Sequence, residues 1–427
     1  MYLICSTKTS KIVHTDVNFI PNGNTISEYE DCVKKLNGQK REIDYYASNG
    51  LKKIYEEARN NQFPENKDFK INKGGLKLYD IIKEFPELGV HKDFLDVCGG
   101  PGGWSKVLLD LGMSGYGITI LSDSCKMWYN ELETNEKFSI LHYNNNDITD
   151  KHVKEYCINT VKNVSFVVAD GAPSIDIVGE ECNQEDYSCK IIYSEVYIAL
   201  SVLNTGGSFI FKIFDTFKSH SQHLIYLLSV VFKKVYIYKP PNSRIVNSEK
   251  YVICLHKYAK ATAIIPLFKI IFDQWIDGHV PDNLIPPHII NLDNKFKSHF
   301  NKFVTDYTNQ QIEALGKVMD TLQEMLYPPD IYIPQQTNKG SIMKKGGKGK
   351  GKFEPVYGKG YGDTKCGKGV TDYQHDYGDI KWRKGVTDYQ HDYGDTKWGK
   401  GVTDYQQWVY SKNHPYNQHK GKYGKYM

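Results

Sequence analysis

The feature that most constrains the fold is a glycine-rich turn directly after a short apolar segment. Residues 94–97 (FLDV) are β-prone, and residues 98–104 then read CGGPGGW. Glycines in this position permit tight turns and let main-chain N–H groups approach a ligand at the start of the next helix. The spacing is neither G-x-G-x-x-G nor G-x-x-x-x-G-K-[ST], which argues against a dinucleotide site and a P-loop. Alone, the turn predicts a small-molecule site on an α/β sheet or a simple tight turn.

Short apolar segments alternate with longer helical ones downstream of residue 93. Strands are predicted at residues 94–97, 116–121, 138–142, 165–169, 208–214, 235–238 and 251–256. Helical periodicity separates several of them, most clearly at residues 185–204 and 220–232. This alternation is typical of a parallel sheet with crossover helices. We therefore predict an α/β fold, Rossmann-like, with a central, mostly parallel seven-stranded sheet.

Helical flanks surround this domain, and composition separates a tail. We expect a helical extension at residues 1–70, the α/β domain at 71–260, a helical appendage at 261–330 and a low-complexity tail at 336–427. The tail repeats with a period of 16, as in GDTKCGKGVTDYQHDY. Each repeat has too few aliphatic residues for a core, so we expect a disordered tail, with a small solenoid as the weaker alternative.

Charge is distributed unevenly along the chain. Residues 336–427 carry 18 Lys and Arg against 9 Asp and Glu, whereas residues 1–335 carry 36 against 41. The tail is therefore about +9 and the remainder about −5. Such asymmetry predicts a basic arm that binds nucleic acid, and an inert solvated tail stays open as the alternative.

The cysteines and the apolar runs exclude several classes of protein. The nine cysteines are scattered and never spaced C-x-x-C, so neither a disulfide framework nor a metal site is expected. No charged-then-apolar leader and no run long enough for a membrane span is present. We expect a protein without membrane contact, in the cytoplasm, the nucleus or a viral factory. Richness in Lys, Asn, Ile and Tyr is compatible with an AT-rich genome, such as that of a large DNA virus or a protist.

Four ionisable residues fall at or near the ends of predicted elements. Asp170 follows one core strand, Lys212 lies within another, Glu249 precedes the last strand, and Lys77 lies on a helix predicted at residues 72–85. An unpaired buried lysine is costly, so Lys212 requires a carboxylate partner or a depressed pKa. Such a set suits removal of a proton from a weakly acidic hydroxyl. Each residue alone is better explained as a surface lysine or a structural ion pair.

Together these segments resemble the FtsJ-like ribose 2′-O-methyltransferases, most closely the cap-specific mRNA (nucleoside-2′-O-)-methyltransferases, over about residues 59–254. The strings that carry the resemblance are NKGGLK at 72–77, CGGPGGWS at 98–105, GYGIT at 115–119, DITD at 147–150, ADG at 169–171, GGSFIFKIFDTF at 206–217 and KPPNSRIVNSEKYVIC at 239–254. The last string is the most specific and favours the cap branch over the ribosomal RNA branch. Thr119 and Ala172-Pro173 depart from the pattern of parts of the family.

The resemblance implies a methyltransferase fold that uses S-adenosyl-L-methionine, with capped mRNA or another RNA as substrate. It implies that Lys212 deprotonates the ribose 2′-hydroxyl while Lys77, Asp170 and Glu249 set its pKa and position. No metal is implied, because the sulfonium is already an activated leaving group. The implied cofactor-binding residues are Asn72, Cys98, Gly99, Gly100, Pro101, Gly102, Gly103, Trp104, Asp147 and Ile148. The implied RNA-binding residues are Arg59, Cys182, Asn183, Gln184, Arg244 and Asn247.

Two other functions stay open at this point. The same four ionisable residues would serve a ribosomal or transfer RNA 2′-O-methyltransferase. A non-catalytic RNA-binding protein could instead use the tail, because tyrosines stack on bases and lysines neutralise phosphates. The residues that would recognise the cap guanine are not assigned.

Overall fold

A computed structural model describes residues 1–6, 17–64, 72–122, 127–173, 183–282 and 284–327. These residues all belong to one compact unit, Met1–Asp330. Two predictions lie outside the described residues: the RNA contact at Cys182 and the repeat tail at 336–427.

Ten strands are present in the described residues. Their bounds are β1 Tyr2–Ile4, β2 Asn18–Ile20, β3 Asp93–Val97, β4 Ser114–Ile118, β5 Phe138–Ile140, β6 Val164–Ala169, β7 Leu203–Ile213, β8 Phe232–Tyr238, β9 Lys250–Lys257 and β10 Val280–Asp282. Eight of them form one sheet in the order β1-β8-β9-β7-β6-β3-β4-β5, while β2 and β10 pair separately.

Eleven α-helices in the described residues surround this sheet. Their bounds are α1 Glu30–Tyr46, α2 Lys52–Gln62, α3 Lys73–Glu84, α4 Gly103–Asp110, α5 Asn130–Glu133, α6 Lys151–Thr160, α7 Gln184–Val202, α8 Ser219–Val231, α9 Ile265–Asp273, α10 Pro287–Leu292 and α11 Asn294–Leu326. No helix among the described ranges is long and apolar enough to cross a membrane.

The pairing confirms the predicted mostly parallel, Rossmann-like sheet. β5, β4, β3, β6 and β7 run parallel, and β9, β8 and β1 continue the sheet antiparallel. β3 and β6 are almost continuously buried, as expected for strands covered by helices on both faces. The predicted number of seven strands is wrong, because β1 adds an eighth at the β8 edge. A strand of three residues is too short to carry a period-two pattern.

The topology fixes where a ligand can bind. From β3 the chain first builds β4 and β5 on one side and then returns to build β6 and β7 on the other. A crevice therefore opens at the carboxyl ends of β3 and β6, where Val97 and Ala169 lie side by side. Cys98 and Asp170 are the first residues beyond these two strand ends.

The flanking helices pack on the side of the sheet that carries β8 and β9. The 33-residue helix α11 contacts α1, α2 and β1. Helices α1 and α2 lie within the predicted extension at 1–70, with a kink at Gly50 (φ 80°) between them, and α9, α10 and α11 lie within the predicted appendage at 261–330. Residues distant in the sequence are thereby brought to one end of the sheet.

Candidate active site

Two cavities lie near the carboxyl ends of the central strands. The loop cavity, about 540 Å³, is lined by residues of the turns after β3, β4, β5 and β6, with a rim from α7. The basic cavity, about 780 Å³, is lined by Lys73, Lys77, Lys239 and Arg244, by Glu249 as its only described acidic residue, and by segments of β1, α2 and α11. The two cavities therefore differ in charge, and the second is rich in basic side chains.

The glycine-rich turn is shaped by close packing. Gly102 has φ 105° at the start of α4, and a Cβ atom there would overlap the side chain of Leu132. Asn72 caps α3 by accepting a hydrogen bond from the Gly75 N–H at 2.7 Å, and its amide donates to the Tyr129 hydroxyl at 2.7 Å. The loop is therefore held in one conformation from several directions.

The residues predicted to bind a cofactor fall into two groups. Lining the loop cavity are Cys98, Gly100, Pro101, Asp147 and Ile148. Shaping the turn from outside that lining are Asn72, Gly99, Gly102, Gly103 and Trp104. The Trp104 indole donates to the Gly74 carbonyl at 2.8 Å and packs on the ring of Tyr251, with the side chain 3% exposed. For the second group, the structure shows a role in shaping the turn.

The segment after β5 presents a carboxylate to the loop cavity. Asp147 Oδ1 accepts hydrogen bonds from the N–H and hydroxyl of Thr149 at 2.9 and 2.8 Å. The buried side chain of Asn146 binds the Leu141 carbonyl and the Tyr143 N–H, which fixes the turn that carries Asp147. Ile148 is buried beside it. The arrangement combines one acidic group with an apolar surface.

The four predicted catalytic residues form two ion pairs. Lys77 Nζ lies 2.7 Å from Glu249 Oε1, and Lys212 Nζ lies 3.2 Å from Asp170 Oδ1 and donates to the Asp170 carbonyl at 2.8 Å. The Tyr251 hydroxyl donates to Asp170 Oδ1 at 3.0 Å. Asp170 lines the loop cavity, whereas Lys77 and Glu249 line the basic cavity. The two pairs therefore link the loop cavity to the basic cavity, because Lys212 interacts with both Asp170 and Glu249.

Neighbouring carboxylates stabilise the charge of the buried Lys212 side chain. Burial lowers the pKa of Lys212, but attraction to Asp170 and Glu249 outweighs burial and leaves the pKa above its usual value. Burial raises the pKa of Glu249, and attraction to Lys77 and Lys212 more than reverses this. Of the two outcomes that the sequence allowed for Lys212, the carboxylate partner is confirmed and the depressed pKa is wrong for this state.

The loop at residues 239–249 is closed on itself by a lysine. Lys239 Nζ donates to the carbonyls of Asn247 and Glu249, both at 2.7 Å. Burial, together with Lys250 nearby, lowers the pKa of Lys239 to about 7. The backbone N–H and the side-chain amide of Asn242 both donate hydrogen bonds to the carboxylate of Asp80 on α3. Glu249 is thus positioned by the whole loop.

The flanking helices hold the same loop from its other side. Gln311 on α11 donates to the Val246 carbonyl at 2.9 Å. Lys40 on α1 donates to the Ser248 hydroxyl at 2.9 Å and pairs with Asp215 at 2.8 Å. These side chains lie outside the central α/β domain but determine the shape of the basic cavity.

The predicted RNA-binding residues separate in space. Arg244 and Asn247 line the basic cavity. Arg59 lies on α2 one turn before Gln62 and Phe63, which line that cavity, and its guanidinium sits 5.8 Å from the Tyr55 ring centroid. Asn183 and Gln184 begin α7 and are not among the described residues that line either cavity.

Sequence reasoning missed two ionisable residues at the site. Lys239 lies within the matching string at 239–254, and its place before two prolines gave no sign of a buried ammonium group. Glu195 is fully buried on α7, in the middle of the run IIYSEVYIAL. A charge inside an apolar helical run is the same kind of signal that identified Lys212, and it would have found Glu195.

The loop cavity, the glycine-rich turn and the paired lysines are together typical of a Rossmann-like transferase. Residues 71–257 match the FtsJ-like methyltransferase family, so this chain carries an FtsJ-like methyltransferase domain over those residues. The resemblance found in the sequence is confirmed at this level. Methyltransferases of this family use S-adenosylmethionine in general.

Curated relatives extend the comparison beyond the domain. The cap-specific mRNA (nucleoside-2′-O-)-methyltransferase 1 of Trypanosoma brucei brucei is 28% identical over 273 residues, 59% of this chain and 73% of the relative. The cap-specific mRNA (nucleoside-2′-O-)-methyltransferase of Autographa californica nuclear polyhedrosis virus is 28% identical over 58% of this chain and 84% of the relative. The mouse methyltransferase 1 is 32% identical over 54% of this chain but only 30% of its own length.

Proposed function

We propose that this protein methylates the ribose 2′-hydroxyl of the first transcribed nucleotide of capped mRNA, with S-adenosyl-L-methionine as methyl donor. The observation that carries the proposal is the pair of Lys–carboxylate contacts that link the loop cavity to the basic cavity. Similarity to cap-specific enzymes supports the choice of substrate. Such an enzyme acts wherever transcripts are capped, in the cytoplasm, the nucleus or a viral factory.

The loop cavity fits the methyl donor. Its volume of about 540 Å³ lies within the range of about 300–1,000 Å³ usual for ligand pockets. The turn at 98–101, the carboxylate of Asp147 and the apolar surface of Ile148 would hold the cofactor, and Asn72 and Trp104 would keep the turn in shape. S-adenosylmethionine supplies an electrophilic methyl group on a sulfonium.

The basic cavity fits the RNA. Lys73 and Arg244 are suited to phosphates, since an ammonium group offers a point charge and a guanidinium offers a fork of donors. Asn247 offers an amide beside Glu249, and Arg59 would act farther out along α2. Phosphate contacts would set the register of the RNA and bring one ribose to the ion pairs.

Lys212 is the base in this proposal. Because its pKa is raised in this state, it must first lose its resting proton to solvent before it can accept the 2′-hydroxyl proton. Asp170 holds the Lys212 amine in place by an ion pair, and the Lys77–Glu249 pair supplies a second charge on the acceptor side. The 2′ oxygen that results is the nucleophile.

The experiment uses labelled S-adenosylmethionine with two short RNAs that differ only in the presence of a 5′ cap. We expect label on the first transcribed nucleotide of the capped RNA and little on the uncapped one. Equal labelling at internal sites, or a preference for folded RNA, would contradict the cap assignment and favour a ribosomal or transfer RNA substrate. Retention of RNA without transfer of label to any of these substrates would favour a non-catalytic binding protein.

A further inference from the structure

A third carboxyl group lies beside the two ion pairs. Glu195 on α7 is 0% exposed and directed at the turn after β6. Its Oε1 accepts a hydrogen bond from the Gly171 N–H at 3.1 Å, and Oε2 has no hydrogen-bond partner among the described residues. This group has no part in the mechanism proposed above.

The packing around Glu195 leaves no room for adjustment. A Cβ atom at residue 171 would overlap Glu195 Oε1 and would lie 3.2 Å from the thiol sulfur of Cys98. Glu195 therefore joins the turn that carries Asp170 to the glycine-rich turn that begins at Cys98. Both turns line the loop cavity.

The surroundings of Glu195 do not suit a carboxylate. The titratable groups that face it are the Cys98 thiol from the turn after β3, Asp170 from the end of β6 and Lys212 from β7. One amide N–H and the weakly donating Cys98 thiol are poor compensation for a fully buried negative charge, since carboxylates in proteins are normally paired or multiply hydrogen-bonded. Burial raises the pKa of Glu195 to about 8, despite the opposite effect of Lys212.

The charge balance points the same way. Lys77 and Lys212 face Asp170 and Glu249, so the four groups are neutral together when both lysines are ammonium ions. A third carboxylate would leave an excess negative charge and would stabilise the Lys212 ammonium, which must lose its proton for the reaction.

We propose that Glu195 is a positioning residue that works as a neutral carboxylic acid, holding the Asp170–Gly171 turn against the cofactor loop without adding a negative charge beside Lys212. The proposal rests on the function proposed above where it concerns turnover. It makes Gln the natural substitute, because an amide keeps the acceptor for the Gly171 N–H and cannot ionise.

The first measurement needs no substrate. Infrared difference spectra of wild type against Glu195→Gln at neutral pH should show the carbonyl stretch of a protonated carboxylic acid that is absent from the variant. A carboxylate band in its place would overturn the proposal. Because no methyl transfer is involved, this result stands even if capped RNA is not the substrate.

The second measurement is the pH dependence of kcat on the capped RNA. In wild type, ionisation of Glu195 above about pH 8 would raise the pKa of Lys212 and delay the rise of kcat with pH. Gln at residue 195 cannot ionise, so we expect the pH at which kcat is half-maximal to lie about half a pH unit or more lower in Glu195→Gln than in wild type. Glu195→Leu, which loses the acceptor, should lower kcat by about 5- to 10-fold at all pH values.

A purely structural role would give a different pattern. A large loss of kcat in Glu195→Gln at neutral pH, where the amide should replace the neutral acid without loss, would contradict the proposal. Glu185→Gln is a matched control, because Glu185 is a buried carboxyl on the same helix whose partners are the N–H groups of Phe217 and Lys218 and the Ser221 hydroxyl. Glu185→Gln should lower the Tm and leave the midpoint of the kcat–pH profile unchanged.

Discussion

The two cavities that the ion pairs link are built in different ways. The loop cavity consists mainly of turns that follow consecutive strands of the sheet, at residues 98–101, 119–122, 146–149 and 170–173. The basic cavity combines the loop at 239–249 with α2, α3, α11 and β1, which lie far apart in the sequence. The first cavity thus follows from the sheet, whereas the second depends on how the flanks pack.

The two cavities therefore depend on different interactions. In the loop cavity, close contacts such as that between Gly102 and Leu132 define a small pocket. Beside the basic cavity, side chains such as Lys40 and Gln311 hold the lining loop by hydrogen bonds. We therefore expect substitutions in the first to affect cofactor binding, and substitutions in the second to affect RNA binding.

The largest effect is expected at the ion pairs that link the cavities. Lys212→Ala removes the proposed base, and general base catalysis contributes about 10²- to 10⁴-fold, so kcat should fall by at least about 10²-fold. The Kd values for cofactor and RNA should change far less than kcat, because the residues that line both cavities are unchanged. Methyl transfer under single-turnover conditions checks the rate, and calorimetry checks both affinities.

Lys257→Met serves as the control for a buried lysine in the same sheet. Lys257 donates to the Leu200 carbonyl at 2.9 Å and has no contact with the ion pairs. This variant should lose stability and keep its turnover in the folded fraction. Substantial turnover by Lys212→Ala would show that another group acts as base.

The next effect is expected in the loop cavity alone. Asp147→Ala removes one of the two carboxylates that line that cavity, and because hydrogen bonds to charged groups contribute about 1.5–3 kcal/mol, the cofactor Kd should rise by about 10- to 100-fold. RNA affinity should stay within about twofold, since the turn at Asp147 belongs to the loop cavity. Titration of each ligand separately measures the two effects.

Asp150→Asn is the matched control for Asp147→Ala. Asp150 caps α6 through the N–H groups of His152 and Val153 and is not among the residues described as lining the loop cavity. Asn preserves the cap, so the cofactor Kd should not change. Equal losses in both variants would mean that the turn, and not the Asp147 carboxylate, matters.

The sequence predicted more of the loop cavity than of the basic cavity, because only the first follows from the order of the strands. Asp170 and Cys98 could be placed together because the carboxyl ends of neighbouring parallel strands meet at one edge. Lys40 and Gln311 could not, because their partners Ser248 and Val246 lie more than 60 residues away and no periodic pattern encodes such pairs. Strand β1 was missed because three residues carry no recognisable alternation.

A smaller effect should appear in the basic cavity. Gln311→Leu removes the donor to the Val246 carbonyl, and loss of one buried hydrogen bond costs about 1–3 kcal/mol, part of which should appear as a roughly fivefold higher KM for RNA. The cofactor Kd should not change. Gln323→Leu, at an exposed position on the same helix, is the control, and an increase in the cofactor Kd for Gln311→Leu would contradict the division between the cavities.

The smallest effect on the chemistry should come from residues 336–427. Their net charge of about +9 predicts contacts with phosphates without sequence preference, in addition to those of Lys73 and Arg244 in the basic cavity. Deletion of these residues should weaken RNA affinity about threefold at moderate salt and reduce the dependence of log Kd on log salt, because each phosphate contact contributes to that slope. Single-turnover methyl transfer at saturating RNA should not change, since both ion pairs are intact. An unchanged salt dependence would mean that the basic cavity alone binds the RNA and that the repeats are an inert attachment.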